Sequence, residues 1–148
     1  MHIIEAPYLT PILPASLFLA GGISNCLNWQ AEAITLLAKV EGTAFNPRRS
    51  VEFTAEIASE QIEWEHNALR NSQALLFWFP AETLCPITLF ELGVFSQRLD
   101  IPLFVGTHSD YQRRFDVIKQ LELERPEVQV HDKLENVISE FIRWQTAR

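Results

Sequence analysis

Basic residues are scarce in this chain: 12 Lys and Arg against 19 Asp and Glu, a net charge of −7 at pH 7. Binding along a nucleic-acid backbone relies on clustered Lys and Arg that release counterions, so that class of partner is excluded. Free nucleosides and nucleotides need only a few local contacts and are not excluded. Cysteine is scarcer still. Cys26 and Cys85 are too few for a disulfide framework, and the four histidines (His2, His66, His108, His131) are scattered without metal-ligand spacing. No metal or cofactor is therefore expected, and a reducing cytoplasm is the expected location. Long apolar runs are missing as well. Glu5, Pro7, Pro11 and Pro14 interrupt the N-terminal stretch, which reads as an irregular or edge segment rather than a signal peptide or membrane span. There is no GxGxxG fingerprint, no Walker A lysine loop and no GxSxG elbow. Internal repeats, low-complexity tracts and linkers are also lacking.

What is present is an alternation of short apolar runs and amphipathic stretches. The chain has 148 residues, 47% of them hydrophobic, which suits a single domain over 1–148 with a substantial core. Residues 16–20 (SLFLA) read as a buried strand ended by Gly21-Gly22. Trp29, Ala33, Leu36, Leu37 and Val40 follow at helical spacing. Residues 43–46 form a second strand, closed by Pro47. Ser50 is placed to cap a long helix running to about Arg70. Residues 74–79 (ALLFWF) are apolar on both faces, as a central parallel strand requires. Pro86 suits the first turn of the next helix. A strand at 103–106, a helix at 111–123, a strand at 128–131 and a helix at 134–146 complete the pattern. Strands alternating with helices imply a parallel sheet covered on both faces, and right-handed crossovers leave few arrangements. The expected fold is a flavodoxin-like three-layer sandwich with five parallel strands in the order 2-1-3-4-5. In such sheets ligands bind outside the carboxyl ends of the strands where the order reverses. Here that means the loops at 21–26 and 80–86.

Two carboxylates stand out. Glu91 shares a helical stripe with Ile87, Val94 and Phe95, which predicts an apolar, core-facing side. A charge there is costly unless it is paired or used. Glu65 interrupts a similar stripe of Ala58, Ile62 and Leu69. Each is satisfied by an Arg, or lies one position off the inner face of its helix, or is turned toward a shared cleft. Strand three ends in Phe79-Pro80, without the Asp a phosphoacceptor domain needs. The cysteines, expected on adjacent loops, lack a nearby histidine to activate them.

Other residues fall near the expected crevice. Gly21 and Gly22, followed by Ile23, let a ligand approach the backbone closely. Asn46 either bonds a sugar hydroxyl or caps the turn after its strand. Arg48 and Arg49 oppose the dipole of the helix that follows and so need another partner: a substrate phosphate, a carboxylate, a second subunit or solvent. Trp29 and Trp78 either stack on a base or belong to the core.

Several of these segments together resemble a known family. LFLAGGI, FNPRR, the WE of the long helix, FWFP and PITLFELG look like the nucleoside 2-deoxyribosyltransferase-like proteins, over about 16–106. FELG in its strand–loop–helix context is the most specific part. The family's flavodoxin-like fold agrees with the order read above. The resemblance implies that Glu91 is a nucleophile that attacks the anomeric carbon of a 2-deoxyribonucleoside and forms a glycosyl ester, released by a second base or by water. It implies that Glu65, where the family more often has Asp, exchanges a proton with the leaving base. With the residues read above beside the crevice, the expected substrate contacts are Gly21, Gly22, Ile23, Asn46, Arg48, Arg49, Trp78 and Cys85; the resemblance further implies a homo-oligomer, for which Phe141 and Trp144 on the last helix would suit a subunit contact as well as core packing. One departure is clear: better-known transferases carry an Asp six residues before the nucleophile, where this chain has Cys85. The competing readings are a domain that binds a nucleotide or nucleotide-sugar without turnover, and an interaction domain with a vestigial cleft.

Overall fold

A computed structural model describes residues 1–8, 15–50 and 54–148. Its six strands are β1 (His2–Glu5), β2 (Ser16–Gly21), β3 (Thr43–Asn46), β4 (Ala74–Phe79), β5 (Leu103–Thr107) and β6 (Val130–His131). Its five helices are α1 (Trp29–Leu36), α2 (Ala58–Asn71), α3 (Pro86–Ser96), α4 (Arg114–Glu124) and α5 (Leu134–Thr146). All strands pair in parallel, in the order β1-β3-β2-β4-β5-β6. The order expected for five strands is retained. The sixth, β1, is the N-terminal edge segment, paired outside β3 from His2↔Thr43 to Glu5↔Asn46.

Side chains of β4 alternate between the two faces, as period 2 requires. Leu75, Phe77 and Phe79 join one core with Trp64, Ala68 and Leu69 of α2, Leu92 and Phe95 of α3, and Val117 and Leu121 of α4. Ala74, Leu76 and Trp78 join the other with Trp29 and Ala33 of α1 and Leu134, Val137, Ile138 and Phe141 of α5. The result is a flavodoxin-like three-layer sandwich. Each large side chain removed from water, such as the fully buried Phe77 and Phe79, contributes about 1.5–3 kcal/mol.

Several local expectations need correction. Ser50 does not cap α2, which opens at Ala58 with Ile57 in the N-cap position and no side-chain cap bond. Turns at Thr54–Ile57 and Ala55–Ala58 precede it, and residues 51–53 lie outside the described ones. The stripe through Glu91 is not the core face. Ile87 and Val94 are exposed, while Thr88, Leu92, Phe95 and Ser96 are buried. Helix α3 is apolar almost all round, so periodicity alone could not choose its inner side. On α2 the inner stripe is likewise Gln61, Trp64 and Ala68 rather than Ile62. Both glutamates therefore sit half-buried at the edges of the core, where a carboxylate can leave the apolar packing and still be shielded.

Candidate active site

The strand order reverses between β2 and β4. From β2 the chain turns through α1 to β3 on one side; from β4 it turns through α3 to β5 on the other. The loops leaving β2 and β4 meet there. Gly22 marks the crossing. A Cβ on Gly22 would stand 2.9 Å from Cys85 Sγ, 3.0 Å from Pro80 Cγ and 3.1 Å from Cys26 Sγ. Only the smallest residue fits between these groups. The Gly22 carbonyl is held by three donors: Trp29 Nε1 at 2.9 Å, Gln30 Nε2 at 3.2 Å and Arg48 Nη2 at 3.5 Å. Gly21, paired with Trp78, is kept small by the Trp29 ring, which a Cβ would meet at 2.4 Å. Ile23 follows, half-buried, in the same loop.

The second loop is set by Cys85 and Tyr111. Cys85 precedes Pro86 with φ of 50°, a left-handed conformation that costs a non-glycine residue about 1 kcal/mol or more. Its buried thiol donates to the Thr83 carbonyl at 3.5 Å, and the Gly22 backbone faces its sulfur. Burial pushes this thiol up to about 12, so it is neutral at physiological pH. Tyr111 is buried against Phe79 and donates its hydroxyl to the Leu84 carbonyl at 2.7 Å.

Glu65 of α2 and Glu91 of α3 are both half-buried, and close enough for the charge of one to act on the other. Burial first, then the charge of Glu65, raises Glu91 to about 8. Glu65 is also raised by burial, but a hydrogen bond from Gln61 and the charge of Arg49 work in the opposite direction. Gln61 Nε2 lies 2.6 Å from Glu65 Oε1. Two carboxyls in such a setting hold one proton readily and two charges poorly. That arrangement offers both a potential nucleophile and a potential acid at one place.

The remaining expected site residues divide clearly. Asn46 accepts from the Arg48 backbone at 3.1 Å and lies 3.5 Å from Glu5 Oε1, so it caps the turn after β3. Arg48 spans the first loop, donating Nε to Gln30 at 3.0 Å and Nη2 to the Leu27 carbonyl at 3.2 Å, with Cys26 Sγ at 3.6 Å. Arg49 donates Nε to Gln61 and pairs with Glu60 at 2.7 Å. Trp78 is on the opposite face of the sheet from the carboxylates, against Gly106 and α5. Trp29 is on that face too. Phe141 is core, and Trp144 packs on it and on Phe104.

Three supporting residues were not singled out from sequence: Gln30, Gln61 and Tyr111. Gln61 carried a usable signal, since an amide on the stripe of Trp64 and Ala68 and one turn before Glu65 is placed to bond it. A concavity of about 670 Å³ beside β6 and α5, lined by residues including His131 and Arg143, and a groove of about 300 Å³ between α3 and α4 contain neither carboxylate.

The family described as nucleoside 2-deoxyribosyltransferase like matches residues 14–111, about two thirds of the chain. The chain belongs to this family. The matched span of this nucleoside 2-deoxyribosyltransferase-like protein includes both loops at the switch point, Glu65 and Glu91. No curated protein matches the chain. Among the described residues, no helix is long and apolar enough to cross a membrane.

Proposed function

We propose that this protein cleaves or exchanges the N-glycosidic bond of a 2-deoxyribonucleoside, with Glu91 as nucleophile and Glu65 as proton carrier. The observation that carries this reading is the pairing of the two half-buried carboxyls beside the switch-point loops, with Glu91 raised to about 8 by burial and by Glu65. One proton on the pair balances the reaction. The Glu91 oxygen forms a bond to C1′ as the C1′–N bond breaks, and that electron pair stays on the base. The proton that Glu91 sheds leaves with the base, passed through Glu65. Glycosyl ester plus neutral base results, with no proton drawn from solvent. A deoxy sugar lacks the electron-withdrawing 2-hydroxyl that would oppose the oxocarbenium-like transition state. The ester is then opened by a second base (transfer) or by water (hydrolysis).

The loops at Gly21, Gly22, Ile23 and Cys85 would line the sugar or base. Arg48 and Arg49 are engaged by protein groups, which favours an uncharged nucleoside over its 5′-monophosphate. The reading extends to a cytoplasmic homo-oligomer of single-domain chains in nucleotide metabolism. The exposed Ile87, Phe90 and Val94 on α3 are better placed for a second copy than the core residue Phe141.

The test is incubation with each 2-deoxynucleoside and its 5′-monophosphate, with and without an acceptor base. Free base or exchanged nucleoside is expected with the wild type and none with Glu91→Gln. A mass increase of one deoxyribosyl group on the peptide carrying Glu91 would identify the ester. Absence of product for every substrate sinks the proposal. A neutral Cys85 thiol, where better-known transferases carry an acid, favours a second reading as a ligand-binding domain without turnover. Ligand-dependent thermal stabilisation with no product would select it.

A further inference from the structure

Every polar atom of the Gln61 side chain is committed. The residue is 5% exposed. Its Nε2 donates to the Pro47 carbonyl at 2.9 Å and to Glu65 Oε1 at 2.6 Å, while its Oε1 accepts from Arg49 Nε. Two amide hydrogens thus meet two acceptors, and the amide oxygen meets one donor. Turning the amide over would set oxygen against two oxygens and nitrogen against a guanidinium, so its partners fix its orientation. The Arg49 side chain is itself buried, and its Nη2, on the same edge as Nε, forms an ion pair with Glu60 at 2.7 Å. A cation behind the amide oxygen polarises the amide and strengthens its donation to a carboxylate.

The two carboxyls are treated unequally. Glu65 receives this donor; among the described residues, burial and the charge of Glu65 are what act on Glu91, and no hydrogen bond does. Among the described residues, the charged groups that act on the pair are Arg49 from the loop after β3, itself paired with Glu60, and Glu65 on α2 and Glu91 on α3.

We propose that Gln61, backed by Arg49, is a positioning residue that keeps Glu65 as the charged and oriented member of the pair and leaves the shared proton on Glu91. For its catalytic meaning this rests on the proposed function, since it decides which carboxyl starts as acid and which as proton acceptor. Its physical content does not depend on turnover. Removing the donor takes a stabilising bond from ionised Glu65, so the proton moves toward Glu65 and Glu91 ionises more easily.

The experiment is a carboxyl-carbon NMR titration of protein labelled at glutamate, with the two signals assigned from Glu65→Gln and Glu91→Gln. In Gln61→Met the midpoint of Glu65 is expected to rise by about one pH unit and that of Glu91 to fall. Loss of the Pro47 bond alone would lower Tm without exchanging these midpoints. Arg49→Met, which keeps both Gln61 donor bonds, should move Glu65 in the same direction by less, through the lost charge as well as the weaker amide; Gln61→Leu serves as the test if Gln61→Met does not fold. Unchanged midpoints in the folded variants overturn the proposal. The pH profile of deoxynucleoside cleavage should shift with the Glu65 midpoint. Midpoints that move in a protein inactive on all deoxynucleosides support the role of Gln61 and reject the reaction. Fixed midpoints in an active protein do the reverse.

Discussion

Glu65 and Glu91 belong to different helices, yet the charge on the first raises the proton affinity of the second. Neither helix would tolerate this for packing alone. A second charge on the pair would stand at the border of an apolar core, where water does little to screen it from the first.

Stability should record that cost. The ordinary value of Glu91 is 4.5, and the folded protein raises it to about 8. Between those values the native state holds a proton that the unfolded chain has released, so raising the pH favours unfolding. The stabilisation is fully present below the lower value and lost by the upper one. Glu91→Gln is neutral throughout. We expect it to be more stable than the wild type by on the order of 1–3 kcal/mol at about pH 9, with a much smaller advantage at about pH 5. Thermal unfolding across that range checks it; an equal or lower Tm for the variant at high pH would contradict the account.

Two glycines should respond oppositely to the same substitution. Gly22→Ala forces a methyl between Cys85, Pro80 and Cys26, and a cost of about 1–3 kcal/mol is expected. At Gly93, inside α3, nothing among the described residues lies within 4 Å of an added Cβ. Gly93→Ala should stabilise by about 0.5–1 kcal/mol through helix propensity alone. Denaturant melts of the two variants measure both signs, and a neutral Gly22→Ala would show that the loops do not meet there.

The two thiols should differ in reactivity. Cys85 is buried and its thiol is raised to about 12; Cys26 is only partly buried, and Arg48 partly offsets the effect of burial on it. Since the thiolate is the reactive form, iodoacetamide should label Cys26 well before Cys85, which should react only on unfolding. Peptide mass spectrometry over time resolves the order, and equal rates would contradict the buried placement of Cys85.

Much of the frame was legible because its signals are strong and local. The ALLFWF run of β4, Pro86 at the start of α3 and the bounds of α5 follow from apolar runs and turn residues. Crossover handedness left few orders of strands, and the flavodoxin-like one chosen among them is the one found. Helix faces were harder. With Ile87, Leu89, Phe90, Leu92, Val94 and Phe95 surrounding it, α3 offers no polar side by which to orient Glu91. Hydrogen bonds from side chains to groups distant in sequence were not legible at all: nothing in the order of residues says that Arg48 reaches the Gln30 amide and the Leu27 carbonyl, or that Tyr111 reaches the Leu84 carbonyl. Of the partners left open for the two arginines, the structure gives Arg49 a carboxylate and an amide, and Arg48 an amide and backbone carbonyls.

The three donors on the Gly22 carbonyl and the Tyr111 bond to Leu84 bear on how a ligand would enter. Both walls at the switch point are fastened to the protein's own groups, the first to Trp29, Gln30 and Arg48 and the second to Tyr111. A guest must accept a shape already set, with little ordering left to be done on its arrival. Recognition would then depend on fit at entry more than on closure afterwards, and selectivity between related guests would arise from collisions with these walls.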